Sequence, residues 1–202
     1  FTEEERTKLA KDMHKSVENL SALLENLLQW ARSQMGHIDF NPKKFYLYKS
    51  VQKTHDLLNA RASGKLIDLQ LNVDKNIVVF ADENMLDFVF RNLLSNALKF
   101  TNPGGKIEIN ANVSDSFVEV SVSDNGVGIN EEDQPKLFRT DFHLTKPGTF
   151  KEEGTGLGLI LCKEFVEKNG GKIWVESKQN IGTEFKFTLQ VVDELVEDLN
   201  KR

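Results

Sequence analysis

The sequence predicts an α+β protein, built as a two-layer sandwich with helices on one face of a mixed sheet and a long helix at the N-terminus. Two observations predict the sandwich: strand-like runs of apolar residues come in neighbouring pairs, and amphipathic helical stretches lie between the pairs. This order is not the strict βαβ alternation of an all-parallel sheet. A third observation, an apolar heptad pattern confined to the first 36 residues, predicts the separate long helix.

Composition excludes several classes of protein. The 202 residues are 39% hydrophobic and 28% charged, as is usual for globular domains and unlike disordered chains. A net charge of −5 gives no electrostatic reason to expect nucleic-acid binding. The longest stretch without a charged residue, Gly154 to Cys162, is far shorter than the roughly 20 residues that span a bilayer, so we expect no membrane contact by this part of the chain. Cys162 is the single cysteine, which suits a reducing, cytoplasmic location.

The N-terminal segment begins with a capping box. Thr2 can accept a hydrogen bond from the amide of Glu5, whose carboxylate can reach back. Because Phe1 is not an initiator methionine, we expect the chain to be part of a longer protein. Apolar residues then recur in steps of four and three, a seam that predicts a partner helix on another chain or on a missing segment. The alternative is that this helix folds onto its own domain. The seam comprises Met13, Val17, Leu20, Leu24, Leu27 and Ala31, and Gly36 can end the helix.

Beyond a connector, the remaining elements follow from periodicity and turn residues. Helices are predicted at 48–62, 83–100 and 158–168, with a short amphipathic helix at 192–199. Strands are predicted at 67–73, 77–81, 106–113, 117–123, 172–177 and 183–189.

The helix at 83–100 carries an unusual polar face. Asp82 is a plausible N-cap, and Asn92, Asn96 and Lys99 follow at positions that share the side opposite the apolar residues. A solvated face is the simple interpretation, but asparagine is a mediocre helix former. An asparagine carbonyl oxygen can join a Mg²⁺ shell completed by phosphates and water, and a lysine can neutralise phosphate.

Asp124 breaks the pattern of its strand. The period of two puts it on the same face as Val118, Val120 and Val122, and a carboxylate facing the core needs partners. It could simply cap the glycine turn that follows. It could also be an acceptor at the floor of a pocket, suited to a ligand NH₂ such as an adenine amine.

A third feature is the glycine-rich run from Gly154 to Leu159, which opens the helix at 158–168. Exposed amides at a helix N-terminus can bind an anion. The run is neither a Walker A loop nor a Rossmann fingerprint, because their residues and spacing are absent.

Taken together, these segments resemble sensor histidine kinases, over about 45–189. Arg91 to Thr101 resembles their N box, Asp124 to Ile129 their G1 box, and Gly154 to Leu159 their G2 box. Leu137 and Phe138, with Phe142, resemble the F box. The resemblance implies the Bergerat ATP-binding fold shared with gyrase, MutL and heat-shock chaperone ATPases.

The resemblance also implies roles for individual residues. Asn96 would hold Mg²⁺, and Asn92 and Lys99 would be catalytic groups along the phosphates. Asp124 would accept from the adenine amine, helped through water by Thr183, and residues 139–153 would form a lid. The residues implied to bind the nucleotide are Asn96, Asp124, Gly126, Gly128, Ile129, Lys146, Gly154, Thr155, Gly156, Leu157, Gly158, Leu159 and Thr183.

Two departures from the family's patterns refine the expectation. The related ATPases carry a glutamate, which activates water, where this chain has Asn92; a neutral amide cannot act as a general base. The phosphoacceptor motif is absent around His14, His37, His55 and His143. We therefore expect residues 1–36 to be the second helix of the dimerisation and phosphotransfer bundle, 37–44 a connector, 45–190 the ATP-binding catalytic domain and 191–202 a tail.

The resulting hypothesis is an ATP-dependent protein-histidine kinase region that uses ATP and Mg²⁺. Its expected partners are the phosphoacceptor helix of the same protein and a response-regulator receiver domain, with a homodimer in the full-length protein. The sequence leaves open whether that protein is anchored in the inner membrane. Two alternatives are an ATP-driven clamp of the gyrase or chaperone type and a nucleotide-sensing module without turnover.

Overall fold

The computed structural model describes residues 1–3, 5–10, 13, 17, 20–21, 24, 27–28, 31, 39–139, 148–149 and 156–192. Within these ranges the elements match the sequence predictions closely. The strands are β1 (Lys43–Tyr46), β2 (Asp68–Asn72), β3 (Val78–Ala81), β4 (Lys106–Ser114), β5 (Phe117–Asp124), β6 (Ile173–Lys178) and β7 (Gly182–Gln190), and the helices are α1 (Leu47–Gly64), α2 (Glu83–Phe100) and α3 (Gly158–Lys168).

The main sheet has five strands in the order β2-β4-β5-β7-β6. β2 and β4 are parallel and the other neighbours are antiparallel, so the sheet is mixed, as predicted. β1 and β3 form a separate antiparallel pair, which a bridge between Val79 and Val191 ties to the end of β7. Because the amide of Val192 also donates to Val78, ordered contacts run past the predicted domain end at residue 190.

The three helices bury their apolar faces against one face of the sheet, which confirms the two-layer α+β arrangement. Phe90 of α2 meets Phe187 of β7 edge to face at 5.5 Å, and Phe88 meets Phe165 of α3 in the same way at 5.1 Å. These contacts fix α2 and α3 side by side above the sheet.

The bounds of α2 are those predicted, and the local cause is clear. The buried carboxylate of Asp82 accepts from the amides of Asn84 and Met85, which caps the helix. The same side chain accepts from the amide of Asn41, so the cap also fastens the segment before β1. Asp82 is in turn held by the side chain of Asn169, which accepts from its amide at 2.7 Å.

At the N-terminus the predicted capping box is confirmed. The amide of Thr2 donates to Glu5 at 2.8 Å, and the amide of Glu5 donates to the Thr2 hydroxyl at 3.2 Å. The described positions of the heptad seam have helical backbone, and its five large side chains are each at least 44% exposed. These side chains therefore do not pack onto their own domain, and the partner helix stays a prediction. The five are Met13, Val17, Leu20, Leu24 and Leu27.

Some predictions fall outside the described residues: the helix stop at Gly36, the first two residues of the connector and most of the short helix at 192–199. Within the described part of the chain, no helix is both long and apolar enough to cross a membrane.

Candidate functional site

The site is built on a row of residues at one end of the main sheet. Ser177 of β6 pairs with Thr183 of β7, Thr183 pairs with Asp124 of β5, and Asp124 pairs with Ile107 of β4. Paired residues on neighbouring strands point to the same face of a sheet. Three polar side chains therefore stand together at the end of a face that is otherwise packed with apolar residues.

Asp124 is half-buried, and burial raises the pKa of its carboxyl group from 3.8 to about 6. Hydrogen bonds from the backbone amides of Gly126 and Thr183 oppose the rise only in part. The Gly126 amide donates to Oδ1 at 2.9 Å, so Asp124 does cap the glycine turn. No lysine or arginine of the described residues forms an ion pair with this carboxylate.

The hydroxyl groups of Ser177 and Thr183 form a pair with an Oγ–Oγ1 distance of 2.9 Å. Ser177 Oγ also accepts from the Ile129 amide at 2.9 Å and donates to the Gly182 carbonyl at 2.8 Å. The side-chain amide of Gln134 donates to the carbonyls of both Ile129 and Ser177. This network fastens the loop after Asp124 to the β6 strand.

The two glycines of that loop lie against the protein's own backbone. A Cβ at Gly126 would collide with the carbonyl of Phe100, and a Cβ at Gly128 would collide with the carbonyl of Lys178. Gly128 also has a φ of +65°, which favours glycine. These contacts explain both glycines without a ligand, so their role in binding the nucleotide stays a prediction.

The polar face predicted for α2 is present. Asn92, Asn96 and Lys99 are all half-buried. The Asn92 side chain donates to the Phe88 carbonyl at 3.0 Å, whereas the Asn96 side chain has no hydrogen-bond partner among the residues described. The Lys99 ammonium lies 4.8 Å from the centroid of the Phe100 ring. The Asn96 side chain therefore remains available to a ligand.

The N-terminus of α3 meets this face. Gly156 has a φ of +72°, and Leu157 gives the helix no side-chain cap. Gly158 lies so close to Asn92 Oδ1 that a Cβ would collide with it, and Leu159 packs against the core. The start of this helix, which has no side-chain cap, therefore lies beside Asn92 Oδ1. The backbone amides of a helix N-terminus can bind an anion.

A further contact fixes the C-terminal end of α2. The Thr149 amide and hydroxyl both donate to the Lys99 carbonyl, at 2.9 and 3.1 Å. The Lys65 ammonium donates to the Leu98 carbonyl at 2.6 Å and to the Thr149 hydroxyl at 3.1 Å. Thr149 lies within the segment predicted as a lid, and it ties that segment to the helix that carries Asn96.

Several predicted positions lie outside the described residues. These are Lys146, Gly154, Thr155, Phe142, His14, His37 and His143. Of the F-box residues, Leu137 and Phe138 are partly buried, and Phe138 meets Phe185 edge to face at 6.4 Å. His55 is half-buried beside Asp56 and the Leu69 carbonyl.

Sequence analysis missed Ser177, Gln134, Lys65 and Thr149. The alternation of β6 could have identified Ser177, because its two-residue period places this serine opposite Thr183. No local signal marks Lys65 or Thr149, since their contact joins segments 84 residues apart.

Chemically, the site combines an end that carries hydrogen-bond acceptors with a helix face suited to phosphate. Asp124 offers a carboxylate with no cationic partner among the described residues, and Asn96 offers a hard oxygen ligand. No cluster of three or more His, Cys, Asp or Glu that could hold a metal occurs within the ranges described. The residues present fit an adenine nucleotide whose phosphates help to hold a cation.

Comparison with known proteins finds sensor kinases among the relatives of this chain. The adaptive-response sensory kinase SasA of Synechocystis sp. is 31% identical over 188 residues, covering 92% of this chain and 49% of SasA. The sensor histidine kinase WalK of Bacillus subtilis is 30% identical over 184 residues, covering 90% of this chain and 30% of WalK. This chain therefore spans half or less of the length of these relatives.

Among solved structures, the nucleotide-free catalytic domain of histidine kinase ThkA is 31% identical with a TM-score of 0.65, covering 76% of this chain and 96% of that domain. Full-length ShkA in complex with AMPPNP is 25% identical with a TM-score of 0.76, covering 95% of this chain and 40% of ShkA. Residues 81–193, more than half of the chain, match one family description. The chain belongs to the histidine kinase-, DNA gyrase B- and HSP90-like ATPase family.

Proposed function

We propose that this chain is the ATP-binding catalytic region of a sensor histidine kinase. It would transfer the γ-phosphoryl group of Mg-ATP to a histidine outside these residues, for relay to a response regulator. The observation that carries the proposal is Asp124, a half-buried carboxylate beside Thr183 with no cationic partner among the described residues. A carboxylate in this setting is stabilised by a ligand that donates hydrogen bonds, as the amino group of adenine does.

The phosphate end of the site rests on α2 and α3. Asn96 would ligate Mg²⁺, and Asn92 and Lys99 would lie along the phosphates. The uncapped start of α3, from Gly156 to Leu159, would donate backbone amides to phosphate oxygens. ATP, when bound, supplies the phosphoryl group; these side chains orient it and neutralise its charge, which is the usual protein contribution to phosphoryl transfer.

Asn92 supports transfer rather than hydrolysis. Its neutral amide cannot accept a proton from water near pH 7, and its nitrogen is already engaged with the Phe88 carbonyl. An ATP-driven clamp would need a group that activates water. We therefore infer that the bound nucleotide is kept for the acceptor histidine.

The proposal also predicts which molecules this catalytic region interacts with. ThkA, whose catalytic domain this chain resembles, has been crystallised in complex with the response regulator protein TrrA. We infer an equivalent receiver partner here, together with a phosphoacceptor helix of the same protein. The exposed apolar seam near the N-terminus supports a homodimeric helix bundle in the full-length protein. Because the reaction consumes ATP, the catalytic region would lie in the cytoplasm.

The test is phosphoryl transfer in the full-length protein incubated with ATP labelled at the γ-phosphate and with Mg²⁺. The expected result is label on histidine, which is lost in acid and retained in base, with little free phosphate. An Asp124→Asn variant serves as the control and should remain unlabelled. Rapid phosphate release without labelled protein would contradict the proposal in favour of the clamp, and ATP binding with neither activity would favour the sensing module.

A further inference from the structure

We propose that Ser177 is a specificity-determining positioning residue, which fixes the hydroxyl proton of Thr183 inside the protein so that the pocket presents acceptors alone to a purine ring. The inference rests on the proposed function and deepens it. It names the feature that would select a 6-amino purine nucleotide over a 6-oxo one.

Ser177 Oγ has more neighbours than it has protons to donate. A hydroxyl group has one hydrogen to donate and two lone pairs to accept with. Three groups contact Ser177 Oγ: the Ile129 amide at 2.9 Å, the Gly182 carbonyl at 2.8 Å and Thr183 Oγ1 at 2.9 Å. The amide can only donate and the carbonyl can only accept. Ser177 therefore gives its proton to Gly182, and the Thr183 hydroxyl must donate to Ser177.

The opposite direction of the hydrogen bond between Ser177 and Thr183 is unfavourable. If Ser177 donated to Thr183 instead, its oxygen would face the Gly182 carbonyl oxygen at 2.8 Å with no proton between them. That carbonyl cannot easily move away, because the Gly182 residue has a φ of +150° and its Cα lies against the Asp124 carbonyl, where a Cβ would collide. The direction of the Thr183 proton is thus set by the turn that opens β7.

The consequence concerns what Thr183 offers to a ligand. The residue is only 7% exposed, and its single hydroxyl proton points to Ser177. The hydroxyl of Thr183 can then offer a ligand only its two lone pairs. Asp124, its neighbour across the strands, is an acceptor when ionised. Two acceptors side by side are satisfied by a group that carries two hydrogens.

This arrangement discriminates between purines. An exocyclic amino group has two hydrogens for the two acceptors, whereas an oxo group at the same ring position has none. Binding an oxo purine would leave buried acceptors unpaired, and sites built on hydrogen bonds reject such analogues strongly. Without Ser177, the Thr183 hydroxyl could rotate and donate to the oxo group.

The experiment compares the dissociation constants of ATP and inosine triphosphate by titration calorimetry. The wild-type protein should favour ATP, and Ser177→Ala should reduce this preference by at least about tenfold, equivalent to roughly one hydrogen bond. Ser177→Thr, which restores a hydroxyl, should recover the preference. Ser123→Ala is the matched control, because that serine neighbours Asp124 but bonds the Glu108 carbonyl on the other strand.

A double mutant separates positioning from a purely structural role. If Ser177 acts through the Thr183 proton, then Ser177→Ala combined with Thr183→Val should show the same ATP preference as Thr183→Val alone. If Ser177 only supported the loop, Ser177→Ala would weaken the binding of ATP and of inosine triphosphate equally. The ratio of their dissociation constants would then stay unchanged. An unchanged ratio in Ser177→Ala, or additive effects in the double mutant, would overturn the inference while the proposed function stands. Failure of the wild-type protein to bind ATP would sink both.

Discussion

The two ends of the site are built in different ways. At the sheet end, Asp124, Thr183 and Ser177 stand on adjacent strands, and backbone amides and neighbouring hydroxyls fix their directions. At the helix end, Asn92 is held by its own helix, and Asn96 has no hydrogen-bond partner among the described residues.

The difference shows which part of recognition the fold itself supplies. Strand pairing fixes the distance between Asp124 and Thr183 before a ligand binds. The sheet end is therefore preorganised for one kind of chemical group. At the helix end, binding of a ligand and its cation would fix the positions of the side chains. Variants at the two ends should therefore fail in different ways.

The largest effect should come from Asp124→Asn. An amide has one acceptor oxygen, which the Gly126 amide already uses, and its NH₂ would face the donor of the ligand. Because a hydrogen bond to a charged group contributes about 1.5–3 kcal/mol, we expect the dissociation constant for ATP to rise about 100-fold. Calorimetry measures this, and a preserved circular dichroism spectrum would show that the fold survives. Unchanged affinity would refute the adenine assignment.

The pH dependence of stability and of ATP affinity also tests the role of the Asp124 carboxylate. The pKa of Asp124 is raised from 3.8 to about 6, so the folded state takes up a proton more readily than the unfolded state. Its contribution to the free energy of unfolding should therefore fall as pH rises from about 4 to about 6. ATP affinity should change the opposite way, weakening by up to about tenfold per pH unit below 6. Both trends should vanish in Asp124→Asn, and their persistence there would assign them to another group.

Gly128→Ala tests how firmly the loop is held at the sheet end. The new Cβ would meet the Lys178 carbonyl in a backbone conformation with positive φ, so we expect a loss of about 2 kcal/mol in the free energy of unfolding. Gly104→Ala is the matched control, because Gly104 has a φ of +77° but open space around it. Denaturant titration of both variants separates the collision from the backbone strain. Equal losses would show that the close approach contributes nothing.

At the helix end, Asn96→Ala should have a smaller and more specific effect. Removing the proposed Mg²⁺ ligand should weaken ATP binding about tenfold in the presence of Mg²⁺ and scarcely at all in its absence. Asn84→Ala provides a control, since Asn84 is exposed in the first turn of the same helix. Calorimetry with and without a chelator measures the difference. If metal dependence persists in Asn96→Ala, another residue binds the cation.

The sequence predicted most of the fold because its signals are local. The bounds of α2 follow from a capping aspartate at Asp82 and a regular apolar face, and those of α3 from glycines at both ends. The position of Asp124 followed from the two-residue period of its strand, which is also a local property.

Other features could not be predicted because they depend on tertiary contacts. The glycines at 126 and 128 were explained by a ligand, whereas the collisions that require them involve Phe100 and Lys178, distant in the chain. The parallel pairing of β2 with β4 likewise depends on the packing of α2, the helix that lies between them in the chain.

The contact between Thr149 and Lys65 has a consequence for the end of α2. The Leu98 carbonyl accepts from the Lys65 ammonium and the Lys99 carbonyl accepts from the Thr149 amide. The single proton of the Thr149 hydroxyl is within reach of the Lys99 and Thr101 carbonyls. Departure of Thr149 would therefore leave the Lys99 and Thr101 carbonyls without this donor together, so we expect the last turn of α2 to fray when the contact is lost. Amide hydrogen exchange in that turn would report the event directly.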